Sequence, residues 1–74
     1  MNKIKIIIEK TKDGYSAYAK DLPGIYSQED TLFAVQDSIA EAIHLFKVNN
    51  EPQTWPQVLS EEYSLDFHMG DMKI

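Results

Sequence analysis

Ser38, Ser64, His44 and His68 are the residues from which a nucleophilic mechanism could be assembled, and Glu9 and Asp66 those from which a metal-dependent nuclease could be. A serine nucleophile needs a histidine base within hydrogen-bond reach, and in sequence it is often marked by a strained Gly-x-Ser-x-Gly elbow; neither serine stands in one. His44 falls on the polar side of a helical pattern and His68 on the polar face of an alternating one, where an imidazole meets solvent. Two-metal chemistry requires several carboxylates on one face of adjacent strands, and Glu9 with Asp66 is a sparse set. The chain has no cysteine, hence no thiolate nucleophile or thiolate metal site, and no glycine-rich phosphate loop. The sequence therefore reads as that of a binding protein without chemistry, metal or cofactor of its own.

The charge pattern bears on what is bound. The net charge of −5 is unevenly spread: residues 1–20 carry five lysines against Glu9 and Asp13, whereas from Asp21 to Met72 ten acidic residues accompany one base, Lys47. With no arginine, the chain is poorly equipped to neutralise phosphates or read bases, and no nucleic-acid partner is expected for it alone. An acidic surface suits a basic protein, whose approach it speeds and orients. Acidity also keeps a small protein soluble, which is the simpler explanation of the same charge. The 74 residues make one domain, spanning 1–74. Chains of roughly 60–80 residues bury only about 60% of their unfolded surface. With disulfides excluded, a homodimer or higher homo-oligomer is the expected remedy. No apolar run approaches the ~20 residues of a membrane span, and the N-terminus lacks a signal-peptide pattern, so no membrane association and a cytoplasmic location are expected.

The elements follow from periodicity. Residues 3–10 alternate, with Ile4, Ile6 and Ile8 on one face and Lys3, Lys5, Ile7 and Glu9 on the other. Lys12-Asp13-Gly14 is a hairpin signal, Asp13-Gly14 being the pair that tolerates positive φ. A tyrosine-rich strand over 15–20 pairs back. Leu22-Pro23-Gly24-Ile25 has the type II turn pattern and leads to a third strand over 25–28. Leu32, Val35, Ile39, Ala42, Ile43 and Phe46 then recur every three or four residues, which predicts an amphipathic helix over 31–48 capped by Asp30 or Thr31 and stopped at Asn49-Asn50. Its outer face carries Gln36, Asp37, Glu41, His44 and Lys47. Trp55, between Pro52 and Pro56, reads as a lid on the core edge, with one helical turn at Gln57–Ser60. A fourth strand over 63–69 turns Tyr63, Leu65, Phe67 and Met69 inward, and Gly70-Asp71 reads as a turn. The expected fold class is α+β, with β-β-β-α-β order and an antiparallel sheet carrying one helix on one face.

The run Asp13 to Thr31, D-G-Y-S-A-Y-A-K-D-L-P-G-I-Y-S-Q-E-D-T, followed by a helix containing I-A-E-A-I, resembles the HicB-like antitoxin family. The family pattern has a D-G-Y/F hairpin, an A-Y-x-x-D-L-P-G core, a G-D-T-like helix start and an E-A-I helix. The likeness covers residues 3 to about 48, with the fourth strand in the expected place. It implies a partial RNase H-like fold and a partner: a HicA-like toxin, small, basic and mRNA-cleaving, which the antitoxin binds and blocks. It also implies dimers or higher oligomers. Many such proteins add a C-terminal DNA-binding segment, for which the sequence to Ile74 leaves no room, so no DNA-binding domain is expected here. Glu29 stands where the family commonly has glycine, so this position must have a backbone open to any residue.

A basic toxin is expected to meet the side bearing Tyr26, Glu29, Asp30, Asp37 and Glu41, while Ile7 and Tyr18 on the lysine-bearing strands serve self-association. The rival readings are a stand-alone dimer of regulatory or structural role, the N-terminal part of a DNA-binding autoregulator, and, furthest off, an RNase H-like enzyme using Asp66.

Overall fold

Alternating isoleucines set the sheet. In the computed structural model of the chain, which describes residues 2–70, strand β1 (Asn2–Thr11) buries Ile4, Ile6 and Ile8 on one face. Strand β2 (Gly14–Ala19) pairs with it antiparallel, Ile7 opposite Tyr18, and buries Ala17 and Ala19 on the same side. Strand β3 (Tyr26–Glu29) pairs antiparallel with β2, Tyr18 opposite Tyr26. The connection is the expected type II turn: Gly24 takes φ +88°, and the Ile25 N–H donates to the Leu22 carbonyl at 3.2 Å.

The hairpin between β1 and β2 differs from expectation. Thr11 pairs with Gly14, so the two-residue loop is Lys12-Asp13 and Gly14 is the first residue of the strand. No non-glycine residue among those described has positive φ, Glu29 included. Glycine is needed at position 14 for another reason: a Cβ there would collide with the backbone carbonyl of Glu29, which arrives from β3.

Helix α1 (Leu32–Val48) begins where the Thr31 hydroxyl accepts from the Ala34 N–H at 3.1 Å. It ends where Asn49 N–H donates to the Leu45 carbonyl and the Asn50 side-chain amide to that of Phe46. Val35, Ile39 and Ile43 are fully buried beneath a helix that lies over β2 and β3, with Ala42 and Phe46 partly buried beside them. Leu32, at the stripe's first position, stays more than a third exposed. Where the helix crosses β3, the Ser27 hydroxyl bonds to that of Ser38, which satisfies the one buried polar side chain of the sheet's inner face among the described residues.

A 3₁₀ turn (Pro52–Thr54) and a one-turn helix α2 (Gln57–Ser60) bring Leu59 into the core. Trp55 is the lid that the sequence predicts: half-buried against the core, its indole N–H donates to the Asn50 carbonyl at 3.0 Å. Lys47 holds its ammonium 5.0 Å from the ring centres of both Trp55 and Tyr63.

Strand β4 (Tyr63–Met69) corrects the expected antiparallel sheet. It pairs parallel to β1, with Ile7 level with His68, in a mixed sheet of order β3-β2-β1-β4. Counting reversals gives the reason. Three antiparallel strands leave the chain at the end of the sheet towards which β1 runs; one helix carries it back, and the next strand must then run as β1 does. Such a crossover is the usual way to join parallel strands. The inward set of β4 is also only half covered. Tyr63 and Leu65 pack on the core, but Phe67 and Met69, level with Ile6 and Ile8, are exposed, because α1 lies over β2 and β3. The fold class is thus α+β, a four-stranded mixed sheet with one long helix on one face. Of the turn expected at Gly70-Asp71, Asp71 lies outside the described residues. No helix among the described residues is long and apolar enough to cross a membrane.

Candidate functional site

Two surfaces emerge from this frame, one on each side of the sheet. The first is the outer ridge of α1. Opposite the buried Val35, Ile39 and Ile43, the positions Phe33, Asp37, Glu41, His44 and Val48 recur at helical spacing and are all exposed. Phe33 is 81% exposed and Val48 61%, so two carboxylates and a histidine lie between two uncovered apolar side chains. Leu45, also exposed, flanks the ridge. Lys47 is on the same helix, but its ammonium is directed at Trp55 and Tyr63.

The second surface is the sheet face that α1 does not cover. Strand register draws a row across it, Tyr26–Tyr18–Ile7–His68, each residue opposite the next. Tyr26 is 70% exposed, Tyr18 43%, and Ile7 half-buried. On one side of the row lie Lys5, level with Asp66, and beyond it Lys3, level with Ser64. Lys20 continues β2 beside Lys5, its N–H bonded to the Lys5 carbonyl at 2.9 Å. On the other side lie Gln28, Ser16 and Glu9, with the Glu9 and Ile7 side chains leaning over Gly70.

The structure therefore divides the five residues grouped for partner binding. Asp37 and Glu41 share the helix ridge. Tyr26 lies on the opposite face, in one row with Tyr18 and Ile7, the two residues assigned to self-association. Glu29 and Asp30 sit at the end of β3 with Thr11, Asp13, Gly14 and Gln28 around a shallow concavity. The Thr11 hydroxyl there is buried without a partner. Among the described residues, no three acidic, histidine or cysteine side chains come together as metal ligands would.

The catalytic candidates are also separated. Ser38 is engaged with Ser27 on the inner side of α1, whereas His44 is on its outer ridge. His68 Nε2 is 2.9 Å from Asp66 Oδ2, both partly exposed. Ser64 lies on the far side of Asp66, two strand positions and about 7 Å further along. Glu9, level with Gly70, is offset along the strands from Asp66, which is level with Lys5. The hydrogen bond from His68 is the main cause that holds the Asp66 carboxyl below the ordinary carboxylate range; partial desolvation opposes it, and the charges of His68, Lys3 and Lys5 add to it.

Phe33 and Val48 are missing from the sequence-level surface, although their positions were readable. Phe33 follows Leu32 by one residue and so falls about 100° off the apolar stripe. An apolar residue at an outer position is the signal, and it emerges only when the helix is read for what its polar side contains.

No protein-family model, curated protein or solved structure matches this chain.

Proposed function

We propose that this chain is an antitoxin of HicB-like type, which neutralises a small, basic, mRNA-cleaving HicA-like toxin by covering its RNA-binding surface with the outer ridge of α1. The observation that carries the reading is the composition of that ridge: Asp37 and Glu41 between exposed Phe33 and Val48, with the helix's own Lys47 directed at Trp55 and Tyr63. Aromatic anchors that fill a pocket dominate binding energy, and charges around them set encounter rate and orientation. A toxin surface built for RNA has lysines and arginines for phosphates, and carboxylates spaced one helical turn apart suit such a surface. Occupying it competes directly with the RNA, so inhibition requires no chemistry from the inhibitor. The resemblance over residues 3–48 and the β-β-β-α-β order with one helix-covered face support the partial RNase H-like assignment, which forms part of this proposal.

The test is calorimetric titration of the chain into a HicA-like protein, with RNA cleavage followed in parallel. The expected result is binding that abolishes cleavage. The double reversal Asp37→Lys with Glu41→Lys should weaken binding by at least about 100-fold, and Phe33→Ala by about tenfold or more. Absence of binding at low salt would sink the reading.

A further inference from the structure

We propose that the open face of the sheet is a self-complementary surface on which a second copy of this chain packs, about a two-fold axis running along the row Tyr26–Tyr18–Ile7–His68. The row is the apolar centre of the face, and none of the described residues covers it: Tyr26 and Tyr18 are directly opposite neighbours, and Ile7 continues them on the inner strand β1. A sheet with one solvated face is ordinary when that face is polar. Here its middle is two tyrosines and an isoleucine.

The charges on either side select the occupant. A half-turn about the row lays each of its residues over its own copy and reverses the strand direction. Lys5, two positions before Ile7, then faces Glu9 of the second copy, two positions after, and Glu9 faces Lys5 in return. Lys20 comes over Ser16, and Asp66, already engaged by His68 at 2.9 Å, over Gly70. Lys3 lies at the margin. Sheets pack face to face about 10 Å apart with strands within about 30° of alignment, a separation that lysine and glutamate side chains span. No other occupant fits as well. Nucleic acid would meet Glu9 and Asp66 on a face without arginine. A second copy's helix ridge would make a head-to-tail contact that does not close. Four strands about 4.8 Å apart, over some six residues at about 3.3 Å, offer a footprint of about 400 Å² before side-chain relief, at the small end for a dimer that dissociates on dilution. This surface is on the opposite side of the sheet from the α1 ridge, so its failure and that of the antitoxin reading are distinguishable.

Sedimentation of the full chain over a concentration series tests it. The expected species at high concentration is a dimer of the 8.5 kDa chain. Lys5→Glu and Glu9→Lys each occur twice in a two-fold dimer, and each should weaken association by about tenfold or more. Mixed in equal amounts, the two variants should recover the parent association, because each reversed site then meets its opposite charge in the other chain. That recovery also shows that both variants are folded. A parent that stays monomeric at every concentration overturns the proposal. So does a dimer indifferent to both reversals, or one lost on Met69→Lys alone, which would place the contact on β4's other face.

Discussion

The fold alters the ionisation of Asp66, and the alteration has a defined sign. The His68 hydrogen bond lowers its pKa below the ordinary carboxylate value, so the folded chain binds this proton less readily than the unfolded chain. A depressed folded value means that the stabilising contribution is fully present above the unfolded pKa and is lost as pH falls through the folded one. The window is therefore the acid range below the ordinary carboxylate value. We predict that Asp66, followed by the NMR shift of its carboxyl carbon against pH, titrates below the ordinary carboxylate value, and that His68→Ala moves it upward. Lys3 and Lys5 remain in the variant and keep part of the depression. An Asp66 midpoint unchanged by His68→Ala would contradict the assignment of cause. The alternation of residues 63–69 already places Asp66 and His68 on one face of a strand; that they bond depends on rotamers, which alternation does not specify.

The hairpin and the end of β3 constrain each other through Gly14. The Glu29 carbonyl occupies the space where a side chain would begin, and neither partner is the flexible end of a side chain that could step aside. Gly14→Ala is therefore predicted to cost roughly 2 kcal/mol or more, by overpacking against backbone. Gly24→Ala, with open space around its Cβ and only a left-handed φ to strain, should cost about 1 kcal/mol. Urea unfolding of the two variants checks the order, and a Gly14→Ala milder than Gly24→Ala would refute it. These two glycines show what the sequence can convey. The type II turn at Gly24 is a four-residue affair and is legible as such. By its local meaning Asp13-Gly14 marks a turn centre, whereas the constraint on Gly14 comes from Glu29, fifteen positions on. The helix was legible for the same reason as the turn: its stripe, the Thr31 cap and the Asn49-Asn50 stop are all local.

At the scale of the whole molecule, the strands were legible and the direction of the last one was not. No residue within 63–69 encodes parallel or antiparallel pairing; the number of chain reversals before it does. The division of the proposed partner-binding residues between two faces has a similar origin, since Tyr26 and Asp37 are related only through the sheet between them. The topology that hid these relations also orders events in time. β1 is an inner strand, and its partners are the nearest and the most distant strands in sequence: Thr11 pairs with Gly14, whereas Asn2 pairs with Tyr63. Contacts between distant residues carry the larger loop-closure entropy and form later. Leu65→Ala, on a strand that docks late, is predicted to cost about 2 kcal/mol, mostly as faster unfolding with a nearly unchanged folding rate. Stopped-flow chevrons would show this, and a slowed folding limb would contradict it. Until β4 docks, every copy offers the hydrogen-bonding edge of an isoleucine-rich strand to whatever strand arrives first. The parallel fourth strand thus acts as a late guard against aggregation, and slowing its arrival should raise losses during refolding more than it lowers final stability.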